Sequence, residues 1–215
     1  MIMSRYDTDI IEKALSAARA AGADGADVTF IAGDSTDIQV RKGAVESAER
    51  AEDFQLGLRV FCGKRNAAVS SGQLDSDNIN RLAERAVAMA KNAPEDPFAR
   101  LATADECART LPDLELCDTT RLTTDQLSEM ALACEAAALE TAGITNSDGG
   151  SASASRTRIM IGTSSGFASE YERSSFGFSA VVIAEKDGQM ERDYDYSMAV
   201  FAEDLKNPAE IGRNA

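Results

Sequence analysis

Three stretches of this sequence place reactive residue types at spacings that chemistry uses. Gly162-Thr-Ser164-Ser-Gly166 has the Gly-x-Ser-x-Gly spacing of a nucleophile elbow, and the apolar run Ile159-Met160-Ile161 precedes it. An elbow holds its Ser at a strand-to-helix turn and needs an imidazole to take the proton. Here Phe167-Ala-Ser-Glu-Tyr-Glu172 reads as a strand, and the chain contains no His. The stretch is expected to be a small-residue hairpin turn, not a hydrolase site. Glu191, Asp193 and Asp195 alternate with Arg192, Tyr194 and Tyr196. On a strand, this period of two sends the carboxylates to one face and the Arg and Tyr side chains to the other. Oxygen donors suit Mg²⁺ or Ca²⁺, but same-face neighbours lie roughly 6.5–7 Å apart, too far for one ion to reach all three. A solvated or Arg-paired acidic face is expected, with the tyrosine face used for packing or an interface. Gly143-Ile-Thr-Asn-Ser-Asp-Gly-Gly-Ser151 joins a helix C-cap to a polar, Gly-rich turn. It lacks the Lys of a phosphate loop and does not open a helix, so it reads as a connector.

What is missing narrows the chemistry further. With His at 0, no Ser–His or Cys–His pair and no His-ligated zinc can be built from these residues alone. Cys62, Cys107, Cys117 and Cys134 form no Cys-x-x-Cys spacing and are expected to be reduced bystanders, in keeping with a cytoplasmic protein. No catalytic, cofactor-binding or metal-ligating residue is assigned in the chain.

The elements that would position these stretches follow from apolar periodicity. A helix is expected from Asp9 to Ala21, with Asp9 as N-cap, apolar positions Ile10, Ile11, Ala14, Leu15 and Ala18, and Gly22 as terminator. Short strands around Val28–Phe30, Ile38–Val40 and Phe54–Phe61 come next. A turn at Gly63-Lys64 leads into Asn66–Ser70, giving four or five strands in an antiparallel meander. A second helix over Ser76–Asn92 presents Ile79, Leu82, Ala86, Met89 and Ala90. The pattern then restarts. Thr123 and Gln126 form a capping box for a helix reaching Gly143, with Leu127, Met130, Ala131, Cys134 and Ala138 as its stripe. Strands are expected over Arg158–Thr163, Phe167–Arg173 and Phe176–Ala184, with Asp187-Gly188 turning into Met190–Tyr196.

This order gives an α+β fold of two similar halves, each a helix plus an antiparallel meander, and it suggests a duplication. A shift of 123 positions superposes Gly43 on Gly166, Glu49 on Glu172 and Arg50 on Arg173. The expected divisions are residues 1–93, a first half with its closing helix; 94–121, a Pro- and charge-rich connector; 122–206, the second half; and 207–215, the start of a truncated C-terminal region with Pro208 in its first turn.

Composition excludes whole classes of function. The chain has 215 residues, 44% hydrophobic and 27% charged, as in soluble globular proteins. Its 22 basic against 36 acidic residues leave a net charge of −14 and a pI near 4.5. Such a chain repels nucleic-acid phosphates and anionic lipid surfaces, so neither direct nucleic-acid nor membrane binding is expected. No run approaches the ~20 apolar residues of a membrane span, and Met1–Asp9 lacks the apolar core of a signal peptide.

Four segments in register carry a family likeness: Gly57-Leu-Arg-Val-Phe61, Pro94-Glu-Asp-Pro-Phe98, Ile144-Thr-Asn-Ser-Asp-Gly-Gly150 and Arg192-Asp-Tyr-Asp-Tyr-Ser197. Together they resemble the N-terminal domain of the TldD/PmbA family, named as modulators of DNA gyrase, and the last is similar to the PmbA (TldE) branch. The resemblance implies a cytoplasmic two-subunit metallopeptidase that degrades or processes small or unfolded polypeptides. It further implies zinc held by a His-Glu-x-x-x-His helix in a TldD-type partner subunit. This sequence has no such helix, so no catalytic or metal residue carries over, which agrees with the PmbA branch and equally with an N-terminal fragment of either branch. The PmbA-like segment implies a non-catalytic partner, not catalytic by itself and without a cofactor of its own. The rival reading is a regulatory protein that binds DNA gyrase or its inhibitors without proteolysis, its acidic surface imitating DNA.

Overall fold

The computed structural model describes residues 9–215; the signal-peptide reading rests largely on residues 1–8, outside the described residues. Helix α1 (Asp9–Ala20) is followed by strands β1 (Gly25–Arg41), β2 (Ala44–Cys62) and β3 (Arg65–Ser71), then by α2 (Ser76–Asn92). After an irregular stretch the same order returns: α3 (Thr124–Leu139), β4 (Ile144–Thr163), β5 (Ala168–Lys186), β6 (Gln189–Ala199), a 3₁₀ turn (Ala202–Asp204) and α4 (Pro208–Asn214). The six strands form one antiparallel sheet in the order β3-β2-β1-β4-β5-β6, so the fold is α+β and each half is a helix followed by a three-stranded meander.

The strands are fewer and longer than expected. Val28–Phe30 and Ile38–Val40 belong to the single strand β1, because Gly33-Asp-Ser-Thr36 stays extended despite its turn-like composition. Phe167–Arg173 and Phe176–Ala184 likewise merge into β5, which starts at Ala168. The connector expected over Gly143–Ser151 is the start of β4. Gly143 makes the turn before the strand with φ of +97°, whereas Gly149 and Gly150 serve close packing. A Cβ at Gly149, where φ is +124°, would stand 2.9 Å from Val40 O, and one at Gly150 would stand 2.9 Å from Ala131 O.

Local signals behave as expected where they are strong. Asp187-Gly188 turns β5 into β6 with φ of 54° and 77°, the left-handed pair of a type I′ hairpin. Thr123 Oγ1 accepts from Gln126 N at 3.2 Å and Gln126 Oε1 accepts from Thr123 N at 2.9 Å, closing the capping box of α3. That helix stops at Leu139, short of Gly143. Asp9 is the first helical residue of α1 rather than its cap. Met89 is 44% exposed, because Ala83 and Val87 complete the buried stripe of α2 in its place.

The residues group into two compact units, each assembled from separate segments. The first comprises residues 9–33, 53–113 and 157–172. Its core sets Ile10, Ile11, Ala14 and Ala18 of α1 and Ile79, Leu82 and Ala86 of α2 against Val28, Phe30, Leu56, Leu58 and Val60. The strand residues alternate, with Leu56, Leu58 and Val60 buried while Arg59 faces outward to Asp27 at 2.6 Å. The second unit comprises residues 34–52, 114–156 and 173–215. There, Leu127, Ala131, Cys134 and Ala138 of α3 pack with Ile38, Val40, Phe178, Ala180 and Val182. Ile211 of α4 is fully buried in the same cluster, so this short helix buries a face. Gly212 makes it possible, since a Cβ there would overlap Cys134 O.

Candidate functional site

The sequence-flagged residues are not brought together into one constellation. Ser164 lies in the turn between β4 and β5, and its side chain has a structural partner: Oγ accepts from Ala26 N at 2.9 Å while Ser164 N donates to Ala26 O at 2.8 Å. Thr163 Oγ1 and Ser165 Oγ lie 2.9 Å apart, and Thr163 Oγ1 also accepts from Phe167 N at 3.1 Å. Thr163 and Ser165 thus hold a tight hairpin, while the Ser164 hydroxyl ties that turn to Ala26 of β1.

The acidic face of β6 is solvated at Glu191 and Asp193, which are exposed, and two of its carboxylates also bond the backbone. Asp193 Oδ1 accepts the N–H of Tyr194, and Asp195 Oδ1 that of Tyr196, each at 2.8 Å. Alternate residues of a strand direct their N–H groups to the same side. These two point away from β5, at the end of the strand order, where no further strand of the sheet lies. The Asp-Tyr-Asp-Tyr repeat therefore closes part of an open edge with its own carboxylates, a known way to deter unwanted strand pairing. Asp195 Oδ2 also receives Asn214 Nδ2 at 3.2 Å, and Arg192 pairs with Asp148 at 3.1 Å rather than with its neighbours on β6. The other face of the strand is bare: Met190, Tyr194, Tyr196 and Met198 are 57–69% exposed.

Two polar clusters escaped the sequence reading. Glu135 of α3 is fully buried; its Oε1 and Oε2 accept the N–H groups of Lys42 and Gly43 at 2.8 and 2.9 Å, and Ser147 Oγ donates to Oε1. Burial is the largest influence on this carboxyl and acts to raise its pKa. The hydrogen bonds from Ser147, Gly43 and Lys42 outweigh it and hold the pKa below the ordinary value. Glu135 lies four residues after Ala131 on the apolar stripe, and that position was the only sequence signal available. The second cluster gathers the end of the irregular segment. Asp118 accepts from Ala202 N at 2.9 Å and Thr120 N at 2.8 Å, which holds its pKa low, Ala202 contributing most. Arg156 donates to Asp118 O at 2.8 Å and reaches Cys117 Sγ at 3.1 Å.

Among the described residues, no three Cys, Asp or Glu side chains converge as ligands for a metal ion, so the residues present do not fit a catalytic zinc. None of the four cysteines is joined in a disulfide. Cys134 sits in the core, where burial pushes its thiol up to about 12 and keeps it protonated. No helix among the described residues is long and apolar enough to cross a membrane. What the arrangement offers chemically is a surface: an apolar strand face beside an edge partly closed by carboxylates.

Known proteins share this framework. The model for the PmbA/TldA metallopeptidase domain 1 matches residues 26–90, and that for the PmbA/TldA metallopeptidase central domain matches residues 118–215. The metalloprotease PmbA of Escherichia coli O157:H7 is 34% identical over 207 residues, which is 94% of this chain and 46% of that protein. A PmbA homologue from Haemophilus influenzae is 31% identical over 188 residues, 87% of this chain and 41% of that one. The chain thus spans about half the length of the curated relatives it matches. A Bacteroides thetaiotaomicron structure described as a modulator of DNA gyrase superposes with a TM-score of 0.88 at 22% identity, covering 96% of this chain and 48% of that one. TldE from Thermococcus kodakarensis gives 0.76 at 16%, covering 96% and 46%. At these identities the solved structures speak for the fold alone. The two family models together take in both meanders, and with the alignment to PmbA across nearly its whole length they establish that the chain belongs to the PmbA/TldD metallopeptidase family, as its first and central domains.

Proposed function

We propose that this chain is the N-terminal part of a PmbA/TldE-like, non-catalytic subunit that works with a metal-bearing TldD-type subunit on small or unfolded polypeptides in the cytoplasm. One observation carries this reading: the chain is 34% identical to the metalloprotease PmbA across 94% of its own length. The zinc would belong to the partner, where it lowers the pKa of bound water and polarises the peptide carbonyl. The residues of this chain would wall the cavity and admit extended polypeptide. The edge of β6 is a poor candidate for holding such a polypeptide by strand addition, because Asp193 and Asp195 occupy two of its outward N–H groups.

Co-expression with the TldD-type subunit of the same organism tests the proposal. A tag on this chain's PmbA-length form should recover the partner together with chelator-sensitive cleavage of an unfolded polypeptide, absent when either is purified alone. Failure to co-purify and to alter cleavage would sink it. A second reading, a non-proteolytic modulator of DNA gyrase, is favoured by the net charge of −14. Near-stoichiometric inhibition of supercoiling that salt weakens would favour it instead.

A further inference from the structure

We infer that the edge of β2 over Ala44–Glu52 takes an extended polypeptide rich in lysine or arginine by strand addition. The inference rests on the peptidase reading for the source of that polypeptide, and it adds the side chains such a substrate carries. β2 has 19 residues and β3 has 7, and β3 pairs only with Leu56–Cys62. The strand order places β1 on the other side of β2, so before Leu56 the side away from β1 has no strand opposite it. From Ala44 to Glu52 every residue is exposed except Ser47, which is half-buried. Among the described residues no side chain accepts an N–H of this stretch, in contrast to the arrangement of Asp193 and Asp195 on β6. The first such bond comes after it, where Asp53 Oδ1 accepts from Phe54 N at 2.8 Å. A row of unpaired backbone groups is completed by a further strand, whatever the sequence of that strand.

The side chains decide which polypeptide fits. Glu46, Glu49 and Glu52 stand against one cation, Arg50, which is itself 3.7 Å from Glu52. On the neighbouring β1, Asp34 is paired with Arg121 at 3.6 Å, while Asp37 accepts from Ser35 Oγ at 2.9 Å and adds negative charge. Arg41 and Lys42 bring positive charge only at the turn end of the stretch. Charge on an edge ordinarily deters pairing. Here it has one sign apart from a paired arginine, so it turns away a strand of its own kind. Two β2 edges laid together would set glutamates near glutamates, which weakens cross-strand pairs. A basic strand meets the opposite condition, because each Lys or Arg beside a glutamate strengthens the pairing. The edge thus holds through the backbone and selects through charge.

Amide hydrogen exchange reads the edge without any cleavage, so this inference and the peptidase reading can fail separately. The probe is a peptide of about ten residues alternating Lys and Thr, long enough to lie along the stretch as a strand. Added at about 1 mM to the 215-residue chain, it should slow the outward amides of Ala44–Glu52 about tenfold, the protection given by a ligand with a Kd of about 0.1 mM. Amides of Gln189–Ala199 should be unchanged. The same peptide with every amide N-methylated keeps its charge, loses its donors and should protect nothing. A Glu–Thr peptide should protect nothing either, and the double change Glu46→Lys and Glu49→Lys should reverse the preference between the two charged peptides. No protection by the Lys–Thr peptide would overturn the inference. So would equal protection by the N-methylated peptide, which reduces the site to charge attraction, or by the Glu–Thr peptide on the wild-type chain. Protection that grows with protein concentration in the absence of peptide would overturn it in favour of a second copy.

Discussion

Glu135 on α3 accepts both backbone N–H groups at the centre of the β1–β2 turn, Lys42 at 2.8 Å and Gly43 at 2.9 Å, although the residues lie 93 and 92 positions apart in the chain. The turn needs φ of 52° at Lys42 and 76° at Gly43, a conformation that a Lys adopts with difficulty. The carboxylate holds it from outside, and Ser147 joins β4 to the same group.

Replacing Glu135 should therefore cost stability with a characteristic pH dependence. Glu135→Ala strands these donors and should lose about 1–3 kcal/mol. Glu135→Gln should also destabilise, since its amide N–H₂ would face a donor. The folded carboxyl titrates below its ordinary value of 4.5, so its contribution is complete above that pH and is lost as the pH falls through it. Urea titrations of wild type and Glu135→Gln should diverge at pH 7 and converge towards acid. A constant difference across that range would show that the carboxylate's charge is not what matters.

Gly212→Ala tests the packing of α4 on α3. The added Cβ would overlap Cys134 O and press on Ala137 at 3.0 Å. A loss of about 1–3 kcal/mol is expected from overpacking, or about 2–4 °C in Tm for each kcal/mol in a chain of this size. Calorimetry showing no loss would mean that α4 adjusts without cost.

Thiol reactivity should sort the cysteines by environment. Iodoacetamide at pH 8 should leave Cys134 unmodified in the folded chain, because burial holds its thiol protonated up to about 12. Cys62, Cys107 and Cys117 are partly exposed and should be alkylated first. Mass spectrometry of the digest gives the order, and early labelling of Cys134 would contradict its place in the core.

Asp193→Ala combined with Asp195→Ala should free two N–H groups on the open side of β6. Edge pairing between copies should then appear as concentration-dependent association in sedimentation, with thioflavin binding at high concentration. An unchanged monomer would show that the carboxylates do not guard the edge.

Much of the framework was legible because its signals are local. The stripe of α2, the capping box at Thr123 and Gln126, and the Asp187-Gly188 turn each depend on residues a few positions apart. The errors share a different cause. Gly33-Asp-Ser-Thr36 and Asn146–Gly150 have turn-like compositions but run as strand, because a sheet supplies both sides of their hydrogen bonding, while Val40 of β1 leaves room only for glycine at 149 and Ala131 of α3 only for glycine at 150. Glu135 was passed over because a charge on a helix normally faces water. Its reason for burial is a turn in a distant part of the sequence. The role of Asp193 and Asp195 was hidden in a similar way. Period two separates the carboxylates from the tyrosines, but only knowledge of the strand order shows that β6 has an open side.

The discontinuous make-up of the units bears on biosynthesis. Met160, in the core of the first unit, is supplied by residues 157–172, long after α1, β1–β3 and α2 have been made. During translation those earlier elements must wait, with Leu56, Leu58 and Ile79 incompletely covered, until the segment around Met160 leaves the ribosome. Exposed apolar surface of this kind draws chaperones and favours aggregation. A slow codon cluster placed between residues 113 and 157 should therefore lower the soluble yield of this protein more than the same cluster placed after residue 172.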